Sequence, residues 1–243
     1  MISTKYPGLI PSYEHERLVA LQPYQVMSTP GQELFNDFVS IVAKLFDMPI
    51  ALVSLVRAED VVFIGNKGLP EALVVDREDS MCSVAILNDG LTEFKDVAAE
   101  PCALVNPRVA QQMHLGFYAG QALRTPNGQA VGSLCIIDRR PRELTSLEGS
   151  LLKELALVAQ ELLRLQAAQA ANPTLVPELR ARLEGPVQQS LTRLTTLAEL
   201  RQWESSADTD EAQRYVESRL DEARYLAQTL YRELQAALTH AGQ

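Results

Sequence analysis

The sequence predicts an α+β protein: a sheet with flanking helices in its first part, then a long coiled-coil helix and a C-terminal αα-hairpin. Three observations predict it. Short β-branched runs alternate with turns as far as Asp138. An Asn-Gly pair joins the last two of those runs. After Thr145 the apolar residues switch to steps of four and three. The chain has 243 residues, 47% of them hydrophobic and 22% charged, which suits one large domain or one domain with an accessory element.

The first helix is predicted over 12–21. A second follows over 31–46, where Leu34, Phe35, Phe38, Val39, Val42 and Leu45 draw one apolar face. Strands are predicted at 50–56, 61–64, 91–97, 116–123 and 130–137, each rich in Val, Ile, Leu or aromatic residues. Between the last two lies Thr125-Pro-Asn-Gly128, whose tolerance of positive φ favours a tight reversal and therefore an antiparallel hairpin.

From Thr145 onward Leu147, Leu151, Leu155, Val158, Leu162 and Leu165 form a narrow seam of coiled-coil type, and so narrow a stripe requires a partner helix. Thr145 and Glu148 have the spacing of a capping box at its start. Asn172-Pro173 interrupts it. Two more helices follow around the polar stretch 204–210, one carrying Leu179, Leu183, Val187, Leu191, Leu194 and Leu197, the other Tyr215, Val216, Leu220, Ala223, Leu226, Leu230 and Leu234. Two amphipathic helices make a thin core, so the hairpin is expected to pack on a second copy as a four-helix bundle in a homodimer. The expected organisation is an extension at 1–13, a sensor domain with its connecting helix at 14–165, a linker at 166–173 and a dimerisation hairpin at 174–243.

A surplus of 31 acidic over 22 basic residues, net -9, repels phosphate backbones and anionic lipid, so neither nucleic acid nor a membrane is an expected partner. Cys82, Cys102 and Cys135 are odd in number and form no CxxC pair, which argues against a disulfide framework or a zinc site and for a reducing cytoplasm. No run approaches the ~20 apolar residues of a membrane span, and residues 1–13 lack a signal-like apolar core.

An ordered series of short motifs then carries a resemblance. It comprises Glu16-Arg-Leu-Val-Ala-Leu21; Phe35-Asn-Asp-Phe38; Pro49-Ile-Ala-Leu-Val-Ser-Leu55; Gly68-Leu69; Ser80-Met-Cys82 before Ala85-Ile86; Phe117-Tyr-Ala-Gly120; Val131-Gly-Ser-Leu-Cys-Ile-Ile-Asp138; and Pro141-Arg142. In this order and spacing, residues 14–165 resemble the GAF domain, in the branch found at the head of histidine kinases and diguanylate cyclases. The resemblance implies an antiparallel sheet of five or six strands with helices on one face and a small-molecule pocket on the other. The chain departs from the pattern at 96–107, keeping Asp96 and Asn106-Pro107 but lacking the usual Arg-Phe pair.

The C-terminal hairpin resembles the dimerisation and phosphotransfer hairpin of histidine kinases in either of two registers. Laying Glu178-Leu-Arg180 on the family's run puts Pro177 at the phosphoacceptor position; laying Leu183-Glu-Gly-Pro186-Val187 on it puts Ala181 there. The histidines are His15, His114 and His240, none in the first hairpin helix, so the attacking imidazole is missing. No Asn-rich or Gly-rich ATP-binding stretch follows. The expectation is a non-enzymatic signalling protein that docks a response-regulator receiver or a histidine kinase.

Phe63, Cys82, Phe117, Tyr118 and Cys135 are the candidate pocket residues. A GAF-like scaffold brings the helix after Ser80 and the last strand to one region, so Cys82 and Cys135 admit two readings. They are small buried hydrophobes of raised pKa, or they serve a thiol-based oxidoreductase or redox sensor. Phe117 and Tyr118 either orient a ligand or pack the core. Cys102, after Pro101, is expected to be the most exposed thiol, without a partner base. Asp138-Arg139-Arg140-Pro141-Arg142 is either a phosphate cluster or a solvated turn tying strand to helix. His114 has no second histidine near it for a metal. No motif names a cofactor or a cyclic nucleotide, and ligand identity stays open.

Overall fold

A computed structural model describes residues 5–25, 29–69, 72–171, 189–199 and 210–241. The chain divides into two units, one of Met1–Ala43 with Met48–Glu143 and the other of Lys44–Asp47 with Leu144–Gln243.

The first unit is built on six antiparallel strands: β1 (Ile50–Val56), β2 (Asp60–Lys67), β3 (Val74–Asp76), β4 (Thr92–Phe94), β5 (Phe117–Arg124) and β6 (Ala130–Asp138), in the order β3-β2-β1-β6-β5-β4. The long central strands β1 and β6 are buried at every residue, which is why they read as unbroken apolar runs. The predicted hairpin forms at 125–129, where Gly128 takes φ +82° and the Thr125 amide closes the loop on the Gln129 carbonyl at 2.9 Å. Helices α1 (Glu14–Leu21) and α2 (Thr29–Phe46) precede the sheet, and two short ones, α3 (Cys82–Ala85) and α4 (Pro107–Gln112), lie in the connections β3–β4 and β4–β5.

Alternation along the strands sorts the side chains into two faces. Ile50, Leu52, Val56, Val61, Phe63, Tyr118, Cys135 and Ile137 share one core with Met81, Cys82, Val84 and Ile86 around α3. That core is keyed to α1 by buried charges. The Arg17 guanidinium donates to both oxygens of Glu14, each at 2.8 Å, and to the Val56 carbonyl at 2.7 Å. Arg77 reaches the same carboxylate and donates to the Leu9 carbonyl at 2.9 Å. Burial would raise the Glu14 pKa, but hydrogen bonds from Arg17 and Arg77 outweigh it and hold it below the usual range.

The second unit contains α5 (Ser146–Ala171), α6 (189–199) and α7 (Asp210–Ala241). The predicted capping box is present: the Thr145 amide donates to Glu148 at 2.9 Å, and the Glu148 amide returns to the Thr145 hydroxyl at 3.2 Å. Helix α5 continues to Ala171, through most of the stretch read as a linker. Its seam finds a partner within the chain, because α7 packs along α5 and Gln228 donates to Glu154 at 2.9 Å. Leu220, Ala223, Leu226, Leu230 and Leu234 are thereby buried without a second copy. The thin core that led to the expectation of a second copy is thickened by α5. Both phosphotransfer registers, with Pro177, Ala181, Leu183 and Pro186, lie outside the described residues, as do Asn172-Pro173 and most of 204–210.

Candidate functional site

The face of the sheet that carries Leu52, Phe63, Tyr118 and Ile137 bounds a cavity of about 60 Å³. By the same measure one water needs roughly 10–15 Å³, so there is room for several waters or a small organic molecule. The opposite wall comes from Asp79-Ser80-Met81-Cys82 at the start of α3 and from Val105-Asn106 with α4, which adds Val109, Ala110 and Met113. Among the described residues most of this lining is aliphatic, with few polar groups and neither Lys nor Arg.

The wall at 105–113 is held by Asn106, which caps α4. Its side-chain oxygen accepts from the Arg108 amide at 3.2 Å, its side-chain nitrogen donates to Asp79 at 3.0 Å, and its backbone amide donates to the Glu78 carbonyl at 2.7 Å. The segment that departs from the family pattern therefore still supplies the pocket.

Tyr118 forms the floor. Its ring meets Phe94 edge-on with centroids 6.4 Å apart, and its hydroxyl lies over Gly120, where a Cβ would sit 2.4 Å from the phenolic oxygen. Only glycine leaves that room. The hydroxyl is buried near Cys82, Cys135 and Ser133 but hydrogen-bonds to no described residue. Burial, then the neighbouring sulfurs, push the phenol well above its ordinary pKa.

Behind the wall Cys82 Sγ lies 3.7 Å from Cys135 Sγ, with Cys82 2% and Cys135 0% exposed. On the same face the paired residues Ser54 and Ser133 join hydroxyls at 3.0 Å. The two thiols are not equivalent. Its contact with Cys135, aided by the Ser133, Ser54 and Ser80 hydroxyls against the cost of burial, lowers the Cys82 pKa to about 6. The same contact, with burial, pushes Cys135 well up. The bland sequence reading, raised pKa for both, therefore holds only for Cys135.

Of the five candidate residues, Phe63, Cys82 and Tyr118 line the cavity, and Cys135 stands directly behind Cys82. Phe117 does not line it: in β5 it alternates with Tyr118 and faces the other side of the sheet. Sequence reasoning missed Asp79, Ser80 and Met113 as lining. The Asn106-Pro107 pair, a helix-start signal, marked the wall that holds Asp79. Cys102 is half-buried in its loop. The Arg cluster is a turn, in which Asp138 accepts from the Arg140 amide at 3.2 Å and Arg139 donates to the Met113 carbonyl at 2.8 Å. His114 sits just past α4 with φ +51°, a helix-ending position. Among the described residues no group of three His, Cys, Asp or Glu is placed to hold a metal, and no helix is long and apolar enough to cross a membrane.

A six-stranded antiparallel sheet with a small pocket under two short connecting helices defines a small-molecule-sensing class of domain. The chain belongs to the GAF domain family, whose model matches residues 30–163. It is 34% identical over 132 residues to the cyclic di-GMP phosphodiesterase PA2567 of Pseudomonas aeruginosa, a match covering 54% of this chain and 22% of that protein. The chain thus spans about a fifth of that relative. Among solved structures it is similar to the GAF domain of an Acinetobacter phosphoenolpyruvate-protein phosphotransferase (12% identity, TM-score 0.49, 65% of this chain and 98% of the other). It is also similar to the free methionine-R-sulfoxide reductase of Neisseria meningitidis in complex with its substrate (16%, 0.48, 70% and 95%).

Proposed function

We propose that this chain is a non-catalytic sensory module of cytoplasmic signal transduction, whose GAF pocket takes a small, mainly apolar, neutral or cationic molecule. One observation carries the reading: among the described residues the cavity is lined largely by aliphatic groups, with Asp79 as a carboxylate and no Lys or Arg to receive a phosphate. The likeness to part of a cyclic di-GMP phosphodiesterase supports a place in signalling, while the lining argues against a nucleotide in this pocket.

Pairing of two copies through the helical segments, and docking of a receiver or histidine kinase, belong to the same proposal. They are supported by the resemblance of the tail to a dimerisation hairpin and by Tyr215 and Tyr225, which stand exposed on α7. The buried leucine face of α7 is not the seam for them.

Indole, neutral, mainly apolar and carrying one polar edge, is a suitable first probe. Saturable stabilisation in a thermal melt is expected, abolished by Ala110→Phe, which fills the cavity from α4. Saturable binding that survives Ala110→Phe, or tight binding of inorganic phosphate at the same site, would overturn the reading.

A further inference from the structure

We propose that Cys82 and Cys135 are a dithiol oxidised by hydroperoxides to an internal disulfide, making the pocket wall responsive to oxidation. The proposal stands whether or not the pocket holds a ligand. Its basis is a juxtaposition of several groups rather than a single cysteine. The sulfurs lie 3.7 Å apart, so a bond of about 2.05 Å requires them to approach by roughly 1.6 Å. Cys82 is the side that can give, since α3 spans only four residues between loops, whereas Cys135 is fixed mid-strand in β6 between β1 and β5.

The cavity reaches Cys82 and not Cys135, so an incoming oxidant meets one sulfur and leaves the other to resolve. The directions of the shifts agree with that order, the Cys82 thiol being pushed down and the Cys135 thiol up. The Ser54–Ser133 hydroxyl pair and the unpartnered Tyr118 hydroxyl supply hydrogen-bonding groups beside the sulfurs in an otherwise apolar core. Lone structural cysteines need no such surroundings.

The chemistry balances in two steps. Cys82 sulfur attacks the terminal oxygen of ROOH; the O–O bond breaks, an S–O bond forms, and ROH leaves with the thiol proton, giving a sulfenic acid. Cys135 sulfur then attacks Cys82 sulfur; the S–O bond breaks, the S–S bond forms, and water leaves with the Cys135 proton. Two thiols and one hydroperoxide become one disulfide, one alcohol and one water. Closing the sulfurs draws Ser80, Met81 and Asp79, all part of the cavity wall, toward β6.

The test uses the full reduced chain and hydrogen peroxide, followed by alkylation and mass spectrometry. The expected product is a monomer lighter by two hydrogens, with a single peptide link between Cys82 and Cys135 and Cys102 still alkylated. Thiol loss at the pair should be about tenfold or more faster than at Cys102, the better-exposed thiol. In Cys135→Ser, dimedone should trap a sulfenic acid on Cys82; in Cys82→Ser, Cys135 should survive the same exposure. Retention of both thiols in the folded wild-type chain, with Cys102 the first to oxidise, would overturn the proposal. So would a disulfide that links two chains, and the wild-type result requires no variant to fold.

Discussion

Glu14 in the sheet unit and Glu161 in the helical unit are both buried, and they are treated in opposite ways. Glu14, in the sheet unit, is gripped by the guanidiniums of Arg17 and Arg77 and its pKa is held down. Glu161, in α5, is 3% exposed and meets one cation, Arg164, at 2.7 Å; burial dominates and its pKa is raised. A carboxylate held by two cations that themselves donate to backbone carbonyls locks α1 onto the sheet. One with a single, partly exposed cation costs the helical unit more than it returns near neutral pH.

The largest effect that tests this contrast is Glu14→Gln. It leaves Arg17, fully buried, and Arg77, nearly so, sharing a neutral amide, and loss of about 3 to 5 kcal/mol is expected from the sheet unit. Amide hydrogen exchange in β1 and β6, next to the Val56 and Ala130 carbonyls that Arg17 also contacts, should accelerate accordingly. Unchanged protection there would mean that the buried charges are decoration.

None of this network was visible in the sequence. Arg17 stood inside a recognisable motif three residues from Glu14, but the second cation on that carboxylate, Arg77, is far along the chain, and nothing local marks a residue for a distant carboxylate. The strands were legible because central strands buried on both faces are written as continuous Val, Ile and Leu. Strand β3, three residues and half exposed, carries no such pattern. Helix α4 is too short to show a period, although Asn106-Pro107 announced its start. The pocket was half legible: motif order placed Cys82 and Cys135 in one region, but strand alternation should have warned that adjacent Phe117 and Tyr118 cannot face the same cavity.

A smaller effect sharpens the contrast from the helical side. There the ordering devices are local and therefore readable, as the Thr145–Glu148 box shows. Thr145→Ala should cost about 1 kcal/mol, seen as faster exchange in the first turn of α5 with β6 unaffected. A comparable loss of protection in β6 would show that the box supports more than its own helix.

The smallest effect carries a sign. Glu14 has a folded pKa below that of the unfolded chain, so its contribution is present above the ordinary carboxylate range and is lost as pH falls through the depressed value. Glu161 has a folded pKa above the unfolded one, because burial outweighs Arg164 beside it and Gln235 across on α7. Tyr231 on α7 faces the same carboxylate and is itself pushed up, by burial and then by Glu161. The folded state therefore holds the Glu161 proton more tightly. Its contribution is fullest at low pH and fades as pH rises from the unfolded value through the raised one. Glu161→Gln makes the neutral form permanent: it should stabilise the helical unit by a few tenths of a kcal/mol to about 1 kcal/mol at pH 7 and by nothing near pH 4, measured by urea unfolding at both. Destabilisation at pH 7 would mean that the ion pair with Arg164 outweighs burial, and the two glutamates would then differ in degree, not in kind.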